Sequence, residues 1–146
     1  MLKETLLEDL KSAMKEKDTV TKNTIQMARA AILQVEKDKQ ITLEDSDILT
    51  ILAKEVKKRK DSLVDYEKGG REDLVEQIKK EIQVLEKYLP KPLSREELEK
   101  EIKEIVQEQN ATSMKDMGKV MKVAKEKIGT RADGKEINEI VKSLLQ

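Results

Sequence analysis

No cysteine, histidine, tryptophan or phenylalanine occurs in this chain, and two tyrosines are its only aromatic residues. Without cysteine there is no disulfide, no thiolate zinc site and no thiol nucleophile. Without histidine the commonest acid–base group at neutral pH is missing, and neither Ser–His–Asp nor Cys–His catalysis can be assembled. Two prolines and five glycines leave no room for a low-complexity tract, and no internal repeat or strand-like run is visible. An excess of one charge is also lacking: 30 basic residues balance 30 acidic ones. Global charge therefore does not point to nucleic acid, and an RNA-binding surface would need local segregation. The first residues, MLKETLLEDLKSAMKEKD, carry charge throughout, so neither a signal peptide nor a membrane span is expected there. The lack of cysteine fits a reducing compartment, and the expected location is cytoplasmic.

What the chain does contain is charge, 41% of its residues, interleaved with aliphatic side chains at helical spacing. Such a mixture predicts long solvated helices with apolar seams. Leu2, Leu6, Leu7, Leu10, Ala13 and Met14 mark a first helix. Asp18 or Thr19 caps a second, with Ile25, Ala28, Ile32 and Val35 on its apolar face. Thr42 and Asp45 have capping-box spacing and open a third helix of roughly 25 residues, near 37 Å long. Its stripe is Ile48, Leu52, Val56, Arg59, Leu63 and Tyr66, and Gly69-Gly70 ends it. A fourth helix begins near Arg71 and uses Leu74, Val75, Ile78, Ile82, Leu85 and Leu89.

Both prolines lie in YLPKPLS, residues 88–94. Pro90 stops the fourth helix and Pro92 keeps the connection extended, which sets a domain boundary with residues 1–90 before it and 91–146 after it. Ser94 to Glu97 is a capping box for a fifth helix carrying Leu98, Ile102, Ile105 and Val106, which ends at Asn110. Thr112 or Ser113 caps a sixth with Met117, Val120, Met121, Ala124 and Ile128, ended by Gly129. Asp133 caps a seventh, with Glu136 at the third helical position and Ile137, Ile140, Val141, Leu144 and Leu145 buried. Seven helices with short connections predict an all-α protein, an N-terminal four-helix bundle followed by a C-terminal three-helix bundle. The second bundle is small enough to be marginal alone.

Catalysis finds no support. The glycines form neither a P-loop nor a dinucleotide fingerprint. The Glu-x-x-His pairs of a carboxylate metal site in a bundle are absent. No cofactor and no metal are expected. Two features ask for another explanation. Gly118 falls inside the sixth helix, where glycine costs about 1 kcal/mol relative to alanine. It marks either a close helix–helix approach or a surface opened to a partner's backbone. Lys115, Lys119 and Lys122 follow one edge of that helix, and residues 111–146 hold 8 basic and 5 acidic side chains, net +3. Gly134 follows the Asp133 cap, and exposed N–H groups at such a start can hold a phosphate or simply be capped. In the third helix, KEVKKRK gathers cations. Arg59 lies on the apolar stripe, where it forms a buried ion pair that fixes helix register or joins Lys58 and Lys60 in contacting phosphates.

In order and spacing, LAKEVKKRKDSLVDYEKGGREDLVEQIKKEIQVLEKYLPKPLSREEL, DMGKVM and ADGKEINEIVKSLL resemble the YqeY family. That family is similar to the B-subunit tail domain of the tRNA-dependent Asp/Glu amidotransferase. The resemblance covers nearly the whole chain and implies the same four-plus-three helical architecture. It implies a non-catalytic tRNA-binding module, since amide transfer belongs to other domains of that enzyme. A carbon–nitrogen ligase label with glutamine as amide donor would describe this association only. Carried over residue by residue, the resemblance suggests Gly118, Lys119 and Gly134, flanked by Lys115 and Lys122, as an RNA-facing surface, and Lys58, Arg59 and Lys60 as a second segment. The chain departs from the family pattern at Gln26, where arginine is frequent, and at Lys122, where a second glycine is. Without aromatic stacking platforms, contact with RNA would run through phosphates and shape. A second reading is a protein-interaction adaptor for an amidotransferase or an aminoacyl-tRNA synthetase, motivated by Met114, Met117 and Met121.

Overall fold

A computed structural model describes all of residues 1–146 and contains α-helices with short connections and no strands. The seven helices are α1 (Leu2–Glu16), α2 (Thr19–Lys39), α3 (Asp45–Lys68), α4 (Glu72–Glu86), α5 (Arg95–Glu108), α6 (Met117–Ile128) and α7 (Gly134–Leu145). One-turn 3-10 segments, Met114–Asp116 and Gly129–Arg131, flank α6. The chain divides into two compact units, Met1–Leu89 and Pro90–Gln146.

In the first unit α1 packs on α2, and α2 on α4, while α4 lies along α3. The core is aliphatic: Leu6, Ile25, Ile48, Leu52 and Leu85 are fully buried, with Leu10, Ile32 and Ile82 beside them. Each such side chain contributes about 1.5–3 kcal/mol by leaving water. Polar contacts hold the connections. Asp18 caps α2 by accepting the Thr21 N–H at 3.2 Å and the Thr21 hydroxyl at 2.7 Å, which lowers its pKa. Glu36 accepts both the Lys3 ammonium and the Leu43 N–H, and these contacts, the lysine foremost, hold its pKa down. Leu43 is thereby tied to α2 within the non-helical connection of residues 41–44. The third helix therefore starts at Asp45, with a capping box between Glu44 and Asp47, rather than at the expected Thr42–Asp45 box. The half-buried Tyr88 hydroxyl donates to Asp9 and ties the end of α4 to α1. Burial, and then this carboxylate, push the Tyr88 pKa well above the phenol value.

In the second unit Leu98, Ile102, Val120, Ala124, Ile128, Ile137 and Val141 form the core, to which α5, α6 and α7 all contribute. The Ser94 capping box is in place: the Ser94 hydroxyl accepts the Glu97 N–H at 3.1 Å and Glu97 accepts the Ser94 N–H. Hydrogen bonding from Ser94 lowers the Glu97 pKa. At the other end of α5, Asn110 adopts φ 53° and turns the chain, as asparagine tolerates. Gly129, at φ 58°, turns it again after α6. Asp133 caps α7 through the Lys135 N–H. Glu136 does not complete a capping box and instead pairs with Arg95 at 3.3 Å.

Candidate nucleic-acid interface

α6 does not begin where its apolar residues suggested. Ser113 starts a 3-10 turn, and the Asp116 carboxylate accepts the Thr112 N–H at 3.0 Å. The α-helix proper opens at Met117, so Gly118 is its second residue and sits in the first turn, not one turn inside. A Cβ built on Gly118 would meet nothing within 4 Å. The close helix–helix approach that could have explained this glycine is therefore absent. Its backbone is exposed, and Lys115, Lys119 and Lys122 are exposed around it.

These lysines are not equivalent. Lys119 donates to the Gln109 carbonyl at 3.3 Å. It thereby places a cation at the carbonyl end of α5, where helix geometry leaves acceptors unfilled and the dipole favours positive charge. Lys127 adds a second tie between α6 and α5, to Glu108 at 2.6 Å. Lys115 and Lys122 hold no carboxylate and stand free in solvent beside Gly118. The three methionines of the segment separate as well: Met117 and Met121 pack against the core and only Met114 is exposed.

Gly134 is the first residue of α7, and a Cβ there would also meet open space. It is not close to Gly118. Eleven residues of helix, about 16 Å, separate Gly118 from Gly129, and Gly134 follows five residues later. The two glycines mark different ends of α6 and form no single cradle.

The cationic run of α3 resolves differently. Arg59 is 8% exposed. Its Nη1 donates to Glu55 Oε2 at 2.9 Å and to the Glu55 carbonyl at 3.1 Å, and its Nε lies 3.6 Å from Glu81 Oε1. The ion-pair reading of this residue describes its geometry: one cation between α3 and α4, held by two half-buried carboxylates. Lys58 and Lys60 stay at the surface, within 3.6 Å of Glu55 and 3.5 Å of Glu86 respectively. No group of three or more Asp, Glu, His or Cys side chains is placed to hold a metal ion, and no helix is long and apolar enough to cross a membrane.

Comparison with known proteins gives fungal relatives named altered inheritance of mitochondria protein 41, mitochondrial. The one from Kluyveromyces lactis is 38% identical over 109 residues, covering 69% of this chain and 56% of the relative. The one from Vanderwaltozyma polyspora is 36% identical over 85 residues, 58% of this chain and 46% of the relative. The one from Pyrenophora tritici-repentis is 30% identical over 139 residues, 91% of this chain and 77% of the relative. The chain thus spans about half the length of the first two. These names correct the cytoplasmic expectation, because the relatives are called mitochondrial. A cysteine-free composition constrains redox chemistry and carries no address. The description Yqey-like protein belongs to a family model that matches residues 3–145, and on that match the chain belongs to the YqeY family.

Proposed function

We propose that the chain is a non-catalytic helical module that docks on tRNA through phosphate and shape contacts, in the manner of the amidotransferase B-subunit tail. In this reading the first unit is a four-helix bundle and the second a three-helix bundle. The docking face surrounds Gly118 at the start of α6. One observation carries the reading: Gly118 is uncovered and fills no internal packing role, while Lys115 and Lys122 beside it are unpaired. A glycine with no internal neighbour costs helix stability for no gain inside the unit. A backbone without a side chain lets a sugar-phosphate chain approach closely, and free lysines supply phosphate contacts at small desolvation cost. Lys119 supports the face by tying α6 to the carbonyl end of α5. Gly134 at the start of α7, and Lys58 and Lys60 on α3 of the first unit, would give secondary contacts, and Arg59 serves the internal ion pair.

Titration of the full chain with folded tRNA at two salt concentrations tests this. Saturable binding that weakens steeply with salt is expected. Lys115→Gln with Lys122→Gln should lower the slope of log K against log salt by about 2, roughly one for each phosphate that is no longer neutralised. Binding that is absent at low salt, or unchanged in the double variant, would count against the reading. The adaptor alternative, with an amidotransferase or an aminoacyl-tRNA synthetase as partner, loses much of its methionine surface because Met117 and Met121 are partly buried against the core. Partners that survive RNase in a pull-down with the full chain would revive it.

A further inference from the structure

A surface groove of about 530 Å³ opens where α2, α3 and α4 meet, lined by Met27, Ala30, Lys58, Arg59, Ile78 and Glu81 among others. Its floor holds an unfinished ion pair. The Arg59 side chain is 10% exposed. Nη1 is saturated by Glu55, but Nε is sealed from solvent and has no hydrogen-bond partner. Nη2 faces only the Met27 sulfur, at 3.9 Å. Nε and Nη2 form one edge of the guanidinium, the edge that takes two parallel acceptor contacts. The carboxylate nearest that edge, Glu81, stops at 3.6 Å from Nε. That leaves Glu81, which is itself 16% exposed, without a hydrogen bond. Leaving the buried Nε donor without an acceptor is costly, while the Glu81 oxygens keep some contact with solvent. Met27, whose sulfur faces Nη2, is an unbranched side chain already 55% exposed, which changes rotamer at little cost.

Charge decides what fits. Arg59 and Lys58 balance Glu55 and Glu81, so an incoming anion would be repelled by Glu81 and an incoming cation by Arg59. A neutral planar group that accepts on one side and donates on the other satisfies both. Met27, Ala30 and Ile78 offer apolar wall for a short aliphatic stem. The groove is open along its length and cannot enclose a free small molecule, whereas a partner chain could lie across it and insert one residue. From the Arg59 edge that lacks an acceptor beside Glu81 and Met27, we infer that this groove receives the side-chain carboxamide of a partner polypeptide. Its carbonyl accepts from the Arg59 edge, and its NH2 donates to Glu81. The inference concerns α2–α4 and stands apart from the Gly118 face.

The test is an NMR titration of the 15N-labelled full chain with N-acetyl-L-glutamine methylamide, its glutamate counterpart and free L-glutamine. The blocked carboxamide should shift the amides around Met27, Arg59 and Glu81 with Kd on the order of 1 mM, as suits so small a probe. The carboxylate probe should bind about tenfold more weakly, and free glutamine more weakly than the blocked form. Ala30→Leu, at an exposed position, should fill the groove and abolish the shifts without lowering the thermal midpoint. Glu81→Gln should invert the preference toward the carboxylate. If that variant unfolds, the probe ranking and Ala30→Leu still decide. No shifts at the groove, equal binding of the carboxylate probe, or binding unchanged in Ala30→Leu would overturn the inference. Tighter binding of free glutamine would overturn the polypeptide source.

Discussion

Replacing Gly118 by alanine should strengthen the second unit while weakening its hold on tRNA. The residue has no positive φ, and a Cβ meets no atom within 4 Å, so alanine adopts the same backbone without strain. In a helix interior the exchange is worth about 1 kcal/mol, and its unfolded-state share about 0.4–1 kcal/mol. Gly118 is in the first turn of α6, where fewer hydrogen bonds depend on it, so about 0.5 kcal/mol is expected. For a domain this small that corresponds to a midpoint higher by roughly 2–4 °C. Circular dichroism melts of the full chain, paired with tRNA titration at fixed low salt, read both effects. Affinity should fall several-fold, because the added methyl stands where a phosphate backbone would approach. A lower midpoint would mean that the glycine is needed inside the fold. A higher midpoint with unchanged affinity would leave it with no role at the surface. Either result refutes the reasoning.

Other expectations follow from the same contacts. Arg59→Ala leaves Glu81 without a cation and Glu55 with only the surface Lys58; since both carboxylates are slightly solvated, a loss of about 2–3 kcal/mol is expected by urea unfolding of the first unit. Tyr88 keeps its proton in the fold at pH values where an unfolded phenol, near 10, has lost it. The stability it adds is therefore full below pH about 10 and drains away as pH rises above that value. Tyr88→Phe should flatten this alkaline loss in a pH series of melts, because phenylalanine cannot ionise. Lys119→Glu would bring a carboxylate to the carbonyl end of α5 and should destabilise the second unit by about 1 kcal/mol. Its effect on RNA binding would then mix folding with contact, which is why Lys115 and Lys122 make the cleaner charge variants.

Much of the helical pattern was legible because burial here is almost purely aliphatic and periodic. Leu6, Leu10 and Ala13, or Ile48, Leu52, Val56 and Arg59, were readable as seams at three- and four-residue spacing and are buried. Ser94, Asp18 and Asp133 were readable as caps because their side chains satisfy the first free N–H groups. What escaped depended on contacts distant in sequence. The start of α3 slid because Glu36 holds Leu43. Glu136 left its expected box because Arg95, 41 residues away, takes it. Val84, outside the α4 stripe, is buried, while Leu7 and Met14, placed on the α1 stripe, are exposed. At the candidate site the sequence marked Gly118 and the lysines. It did not mark the 3-10 turn that shifts Gly118 to the first turn, nor the division of labour that sets Lys119 at the carbonyl end of α5 and leaves Lys115 and Lys122 free. No local signal announces a side chain that bonds a carbonyl ten residues back.

Whether the start of α6 is a docking face is decided by locating tRNA on the chain. With 15N-labelled protein at low salt, added tRNA should shift or broaden the amides of residues 114–122, with Gly118 and Lys122 among the most affected, and raising the salt should reverse the effect. Perturbations confined to the first unit, or none at all at saturating tRNA, would contradict it.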